Sequence, residues 1–445
     1  MRRSNSLGFW PLVASTYFMV CGGPYGIEDL VGQGYGVALV TLMMTPWIWS
    51  LPTGLMVGEL ASAIPEEGGY YAWVRRGLGP FWGVQEAWLS LVASIFDMAI
   101  YPTLFMTYLA RLAPALSGPW ALVAGAAVIA GGLARNVRGA ASVGRSSIAL
   151  GVVVLAPFAV LVALSARHPN GAVLGSSVRA AQHAALDSVG GGLLVAMWNF
   201  MGWDNASTIA REVDRPARVY PCAILATLAL VTVTYLLPVV AVALAGLDPQ
   251  GWTAGAWVEA ARALGGAPLA CMIVVGGMSC GIGMFNALLL SYSRVPAALA
   301  EDGVLPAFLA RRAAHTAVPW AAVAACSIAY ALCLGLGFRH LVALDVLLYG
   351  LSLLLEFAAL VALRVREPTL PRPFKVPGNA LVAGLIGAPP LALLGLGAWG
   401  CRAERIGPMP ALAFGALLVA AGVIAYPLRR QPSRSRSRKT RIVLR

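Results

Sequence analysis

Long apolar runs, interrupted at near-regular intervals by clusters of Gly, Pro and Arg, dominate this chain. About 20 apolar residues in a helix cross the hydrocarbon of a bilayer, so each run predicts a membrane-spanning helix. Twelve such segments lie near 9–31, 36–60, 80–110, 118–134, 140–165, 188–209, 219–245, 266–298, 317–336, 340–363, 379–400 and 407–427. The expected fold is an all-α integral membrane protein of about twelve transmembrane helices. Residues 1–427 form one domain and 428–445 a basic tail. An even number of spans puts both termini on one side.

Two of the segments do not read as continuous helices. The first carries Cys21-Gly22-Gly23-Pro24-Tyr25-Gly26 near its middle. Each Gly costs a helix about 1 kcal/mol and Pro about 3, and Pro24 also removes a backbone donor. The sixth carries Trp198-Asn199-Phe200-Met201-Gly202-Trp203-Asp204-Asn205. Non-helical backbone at membrane depth must line a cavity or be buried in protein. Interrupted segments at corresponding places in two halves point to a secondary-transporter binding site. The two breaks are five segments apart, which fits inverted five-helix repeats at about 9–165 and 188–363, with two extra helices in 379–427.

Composition supports this picture. The chain is 59% hydrophobic and 11% charged, against roughly 45–50% and 25% for soluble domains. That balance excludes an ordinary soluble enzyme and a disordered chain. The net charge of +13 has a topological explanation. With the N-terminus inside, 17 of the 32 Lys and Arg fall in inner segments and 7 in outer ones, and the remaining 8 lie in the tail. This asymmetry is the positive-inside pattern and places both termini in the cytoplasm. The Ser/Arg tail reads as a topology anchor touching anionic lipid, and no nucleic-acid partner is expected.

Enzyme chemistry finds little support. The four His (168, 183, 315 and 340) form no HExxH, and the seven Cys show no CxxC spacing. Gly32-Gln33-Gly34-Tyr35-Gly36 has no βαβ context, and no P-loop is present. No catalytic residue, metal or cofactor is expected.

The segment Ser293-Arg294-Val295-Pro296-Ala297-Ala298-Leu299-Ala300-Glu301-Asp302-Gly303-Val304-Leu305-Pro306 resembles a signature of the amino acid–polyamine–organocation (APC) superfamily. Gly22 to Asp29 is similar to the first-helix motif of its polyamine-uptake branch, related to the L-type transporters. So are Pro46 to Pro52, Gly68 to Val74 with Leu78 to Gly83, and Asp97 to Pro102. The resemblance covers nearly all of residues 9–427. It implies the leucine-transporter-type fold, alternating access and proton-coupled uptake of a small molecule. It also implies that the first break can hold a substrate carboxylate on backbone N–H groups, as a Gly-Ser-Gly break does in amino-acid branches. Here Pro24 cannot donate, which leaves Gly22, Gly23, Tyr25 and Gly26.

The acidic residues favour a cation. Asp97 lies near the middle of the third segment, Asp204 at the sixth-segment break, and Glu28 and Asp29 after the first break. No Lys or Arg stands at mid-depth in these segments to neutralise them. An ammonium about 4 Å from a carboxylate gains roughly 4 kcal/mol at an effective dielectric of 20, part of which desolvation returns. Other readings stand beside this one. Glu28 and Asp29 can complement the positive start of a half-helix, Asp97 can bond a neighbouring helix, and Asp204 can carry a proton without touching substrate.

The resemblance places Trp198 where related exchangers have a gating aromatic, and aligns Asp204 with an acid there. Tyr25, Tyr101 and Trp203 can add cation–π contacts, Tyr101 sharing the helical face of Asp97. The expected substrate site is therefore Gly22, Gly23, Tyr25, Gly26, Asp97, Tyr101, Trp198, Asn199, Trp203 and Asp204. The fifth segment lacks the lysine that many related permeases carry, which leaves Asp204, Asp97 and Glu28 as proton-coupling candidates. Glu86, eleven residues before Asp97, reads as an exit-path residue. The expected function is import of polyamines or related organic cations across the cytoplasmic membrane. An amino-acid permease or exchanger is the alternative.

Overall fold

The structure is a computed structural model that describes residues 9–66, 69–137, 141–167, 186–205, 216–313 and 318–428, together with Asn170 and Gly175. The basic tail from residue 429 onward, residues 206–209 of the sixth segment, and Arg2, Arg3, Arg138, Arg179, Arg211 and Arg215 of the charge count lie outside the described residues.

Among the described residues each of the twelve predicted segments contains helix. In chain order the helices are α1 (Phe9–Val20), α2 (Glu28–Val31), α3 (Tyr35–Thr45), α4 (Leu51–Ala63), α5 (Gly69–Leu78), α6 (Pro80–Leu112), α7 (Pro119–Val137), α8 (Ala141–Ser165) and α9 (Leu186–Asn199). They continue as α10 (Pro216–Leu244), α11 (Trp257–Tyr292), α12 (Arg294–Glu301), α13 (Trp320–Leu332), α14 (Phe338–Arg366), α15 (Ala380–Leu385), α16 (Ala388–Gly400) and α17 (Ala411–Leu428). Among the described residues, seven helical stretches are long and apolar enough to cross a membrane, and three shorter apolar helices accompany them. Their outer faces carry exposed apolar side chains such as Leu332, Leu381 and Ile424. A bilayer tolerates such surface and water does not.

Several details depart from the twelve-segment reading. A π-helical turn, Pro46–Ser50, joins α3 to α4 in one continuous rod, because Pro46 brings no N–H to the α-helical ladder. The amphipathic α5 forms where a loop was expected. Helix α11 begins nine residues earlier than its apolar run, and Gly266, at φ 68°, marks where the two parts meet. A two-residue hairpin pairs Arg405–Ile406 with Met409–Pro410, a small departure from an all-α chain.

The centre of the molecule is α6, which packs against α11, α14, α5 and α7. One end is tied by ion pairs. Arg75 and Tyr71 of α5 both bond Asp302, at 3.3 Å and 2.7 Å, which joins the signature segment to α5. Arg76 holds Glu367 through two bonds of 2.9 and 2.6 Å, and its guanidinium keeps that carboxyl below the usual carboxylate range. Deeper in, Glu59 of α4 accepts from Arg364 Nε at 2.9 Å and from Arg364 Nη2, and lies 3.2 Å from Arg372 Nε.

Candidate substrate cavity at the helix breaks

The first segment breaks as its Gly and Pro residues dictate. Helix α1 ends at Val20 and α2 starts at Glu28, with Gly23 at φ 87° and Gly26 at φ 92° between them. Glu28 holds the bend in shape. Its Oε2 accepts from Gly26 N at 2.7 Å, and its Oε1 accepts from Gly255 N at 3.0 Å and from the Tyr108 hydroxyl of α6. The carboxyl is fully buried and so anchors the break to α6 and to the loop before α11. Pro24 donates nothing, and its carbonyl accepts from Trp257 Nε1 at 2.8 Å. Tyr25 turns inward and donates to Ile273 O at 3.2 Å, its ring edge-on to Tyr108 and Phe158.

The sixth segment leaves helix at Asn199, and Gly202 turns the chain at φ 90°. The two breaks adjoin, since a Cβ on Gly202 would sit 2.8 Å from the Met19 carbonyl oxygen. The freed Phe200 carbonyl is satisfied by Ser50 Oγ at 3.0 Å and Trp203 Nε1 at 2.8 Å. This is the backbone accounting that a break at membrane depth requires.

Between the breaks lies a narrow, partly open cavity of about 30 Å³. Six of the ten expected site residues line it: Gly22, Tyr25, Asp97, Tyr101, Trp198 and Asn199. Among the described residues Asp97 is the one carboxylate in the wall, and no Lys, Arg or His among them lines it. Asp97 Oδ1 accepts from Tyr101 Oη at 3.0 Å and from Trp198 Nε1 at 3.1 Å. Trp198 stands 6.2 Å from the Tyr101 ring and edge-on to Phe338. The wall is otherwise aromatic, sulfur-bearing or apolar, with Tyr235, Tyr292, Cys280 and Met284 among its members. None of these four was expected from the sequence, because each lies in a segment whose apolar pattern reads as ordinary packing.

Four expected residues stand elsewhere. Gly23 and Gly26 give their missing side chains to neighbours, since a Cβ would meet Val154 Cγ1 at 2.7 Å or Trp198 Cζ3 at 2.8 Å. Trp203 is fully buried behind the break, its N–H spent on Phe200. Asp204 is buried outside the lining and accepts from the Tyr349 hydroxyl of α14 at 2.6 Å. The same hydroxyl accepts from Gly202 N at 3.4 Å, so α14 holds the second break much as Glu28 holds the first.

The sequence reading also passed over α14, which buries Asp345 and Glu356. The signal was available. An ionisable residue inside a spanning segment marks a functional position by default, and both acids lie within the apolar run at 340–363.

Such a wall suits a solute with a positive, partly apolar body. One carboxylate supplies the charge and aromatic faces supply the rest. The chain's relatives agree with a transport role. The amino acid permease family profile matches residues 7–427. A probable polyamine transporter of Arabidopsis thaliana is 34% identical over 400 residues, which cover 88% of this chain and 81% of the relative. The polyamine transporter PUT1 of Oryza sativa subsp. japonica is 35% identical over 402 residues, covering 88% and 73%. An uncharacterized transporter of Mycobacterium tuberculosis is 28% identical over 436 residues, covering 93% and 91%. With a family match across almost its whole length, this chain belongs to the amino acid permease family of the APC superfamily and is a multi-pass membrane transporter, not an enzyme.

Proposed function

We propose that the protein is a secondary active transporter that imports polyamines or related organic cations across the cytoplasmic membrane, coupled to protons, by alternating access. The observation that carries this reading is the Asp97 carboxylate, the one charged side chain among the described residues of a largely aromatic and apolar cavity wall. An ammonium beside Asp97 and beneath Trp198 gains a charge-assisted hydrogen bond and a cation–π contact, the latter about 0.5–2 kcal/mol. The Arabidopsis and rice relatives, named as polyamine transporters, support the same substrate class.

The first break argues against tight capture of a carboxylate. Of its possible donors, Gly26 N is committed to Glu28 and Gly23 N to Cys21 Sγ at 3.3 Å, while Pro24 has none. Gly22 lines the cavity and keeps the amino-acid reading as the alternative, with the family's description behind it.

The architecture that goes with this function is twelve spans in two inverted five-helix repeats plus two further helices, both termini cytoplasmic. The end that carries Arg75, Arg76, Arg364 and Glu59 then faces the cytoplasm. Asp97 and Asp204 are the proton-coupling groups of this reading, while the three donors on Glu28 support a positioning role for it. The test is uptake of labelled putrescine and spermidine into proteoliposomes under an inward proton gradient. Unlabelled polyamines should compete and leucine should not. Competition by leucine or arginine without competition by polyamines contradicts the reading.

A further inference from the structure

Helices α6 and α14 run antiparallel, and their register can be read from one contact. Ser90 Oγ lies 3.1 Å from Ser352 Oγ. One helical turn on from that contact, the same register sets Glu86 opposite Glu356. Two turns the other way it sets Asp97 opposite Asp345. All four acids are buried. The seam thus has an upper level at the cavity wall and a lower level about 16 Å along the axis, toward the end that carries Arg75 and Arg364. Asp204 joins the seam between the two levels, since its Oδ1 accepts at 2.6 Å from the hydroxyl of Tyr349, which lies between Asp345 and Glu356 on α14.

The lower level lacks the partners that buried carboxylates require. Both oxygens of Glu356 and one oxygen of Glu86 have no hydrogen-bond partner among the described residues, although neither residue is exposed at all. The other Glu86 oxygen accepts from Ser90 Oγ at 2.7 Å. Among the described residues the titratable groups near the pair are Tyr70 of α5, Asp204 of the second break and Tyr349 of α14 itself, none of them a cation. The buried bases among the described residues, Arg364 and Arg372, are both bound to Glu59. Two ionised carboxylates cannot share a dry, base-free site, and no cluster of ligands suited to a metal ion occurs among the described residues. A proton is the cation that fits.

We propose that the opposed carboxyls of Glu86 and Glu356 form a proton-holding site below the substrate cavity. Ser90, Ser352 and Tyr349 link it to Asp204 and the second break. Binding one proton leaves the pair with one negative charge in place of two. Release toward the cytoplasm restores the second charge in the inward-open state of the alternating-access cycle, where water reaches and solvates the pair, so no other reactant is needed. The site deepens the proton-coupled reading above and rests on it for its role in transport.

Two measurements test it. Infrared difference spectra of the substrate-free wild-type protein between acid and alkaline pH should show the C=O stretch of a buried protonated carboxyl. That band should be lost in Glu356→Gln and in Glu86→Gln. In proteoliposomes, both variants should keep putrescine counterflow within about twofold of wild type and lose tenfold or more of the accumulation driven by a pH gradient. A wild-type spectrum with no titrating carboxyl, or variants that accumulate putrescine as wild type does, would overturn the proposal. If the wild type carries no putrescine, the polyamine reading fails while the infrared result still decides the proton site.

Discussion

The indole N–H of Trp198 donates to Asp97 Oδ1 across 3.1 Å, tying the rim of the second helix break to the acid of the central helix α6. The carboxylate is thereby aimed by two neighbours, since Tyr101 bonds the same oxygen. In the proposed function, a cation entering the cavity would meet a fixed acceptor and a fixed aromatic face together, at little cost in organising either.

Trp198→Phe separates these roles. The ring remains and the N–H is lost, so the Michaelis constant for putrescine uptake should rise about 3–10-fold, matching the net worth of one hydrogen bond at about 0.5–1.5 kcal/mol. Trp198→Ala should lose more, because the aromatic face goes too. Equal losses in the two variants would show that the indole N–H carries the whole effect.

Asp97→Asn keeps the shape of the side chain and removes its charge. Polyamine affinity should fall about 30–100-fold while any transport of a neutral amino acid falls far less. Uptake measured for both substrates in one preparation checks this, and parallel losses would place Asp97 in structure rather than recognition.

Gly26→Ala places a methyl 2.8 Å from Trp198 Cζ3 at a φ of 92°. Backbone strain there costs about 1–2 kcal/mol, and the indole must also move. Transport should drop at least tenfold. Gly34→Ala is the matched control, with φ 107° and no atom within 4 Å of the added carbon. It carries the strain alone and should keep most of its transport.

Glu59→Gln breaks the buried pair with Arg364 and the contact with Arg372. Leaving a buried guanidinium without its counter-charge costs about 3–5 kcal/mol, so the melting temperature in detergent should fall by several degrees. An unchanged melting curve would mean that the carbonyls of Val376, Gly378 and Asn379, which also accept from Arg364, suffice.

Much of the site was legible beforehand, for identifiable reasons. Gly and Pro clusters oppose helix wherever they fall, so both breaks could be placed to within a residue or two. The Asp97–Tyr101 bond follows from i, i+4 spacing on a regular helix. The direction of Asp204 does not, because Gly202 at φ 90° reorients the chain after the last helical residue, and periodicity says nothing across such a turn. The burial of Trp203, with its N–H on the Phe200 carbonyl, is hidden from periodicity for the same reason. Glu28 was legible as an acid but not as the clamp of the first break, since two of its donors come from residues 108 and 255. Asp345 and Glu356 were lost in the apolar average of their segment. Their partners across α6 emerge only from an interhelical register that the serine contact fixes.

The central claim is that the cavity between the breaks binds an organic cation through Asp97. A structure of the protein with spermidine bound tests this most directly. An ammonium nitrogen within about 3 Å of an Asp97 carboxylate oxygen, covered by the Trp198 ring, is the predicted result. Spermidine seated away from Asp97, or a cavity that fills with leucine in place of spermidine, would contradict it.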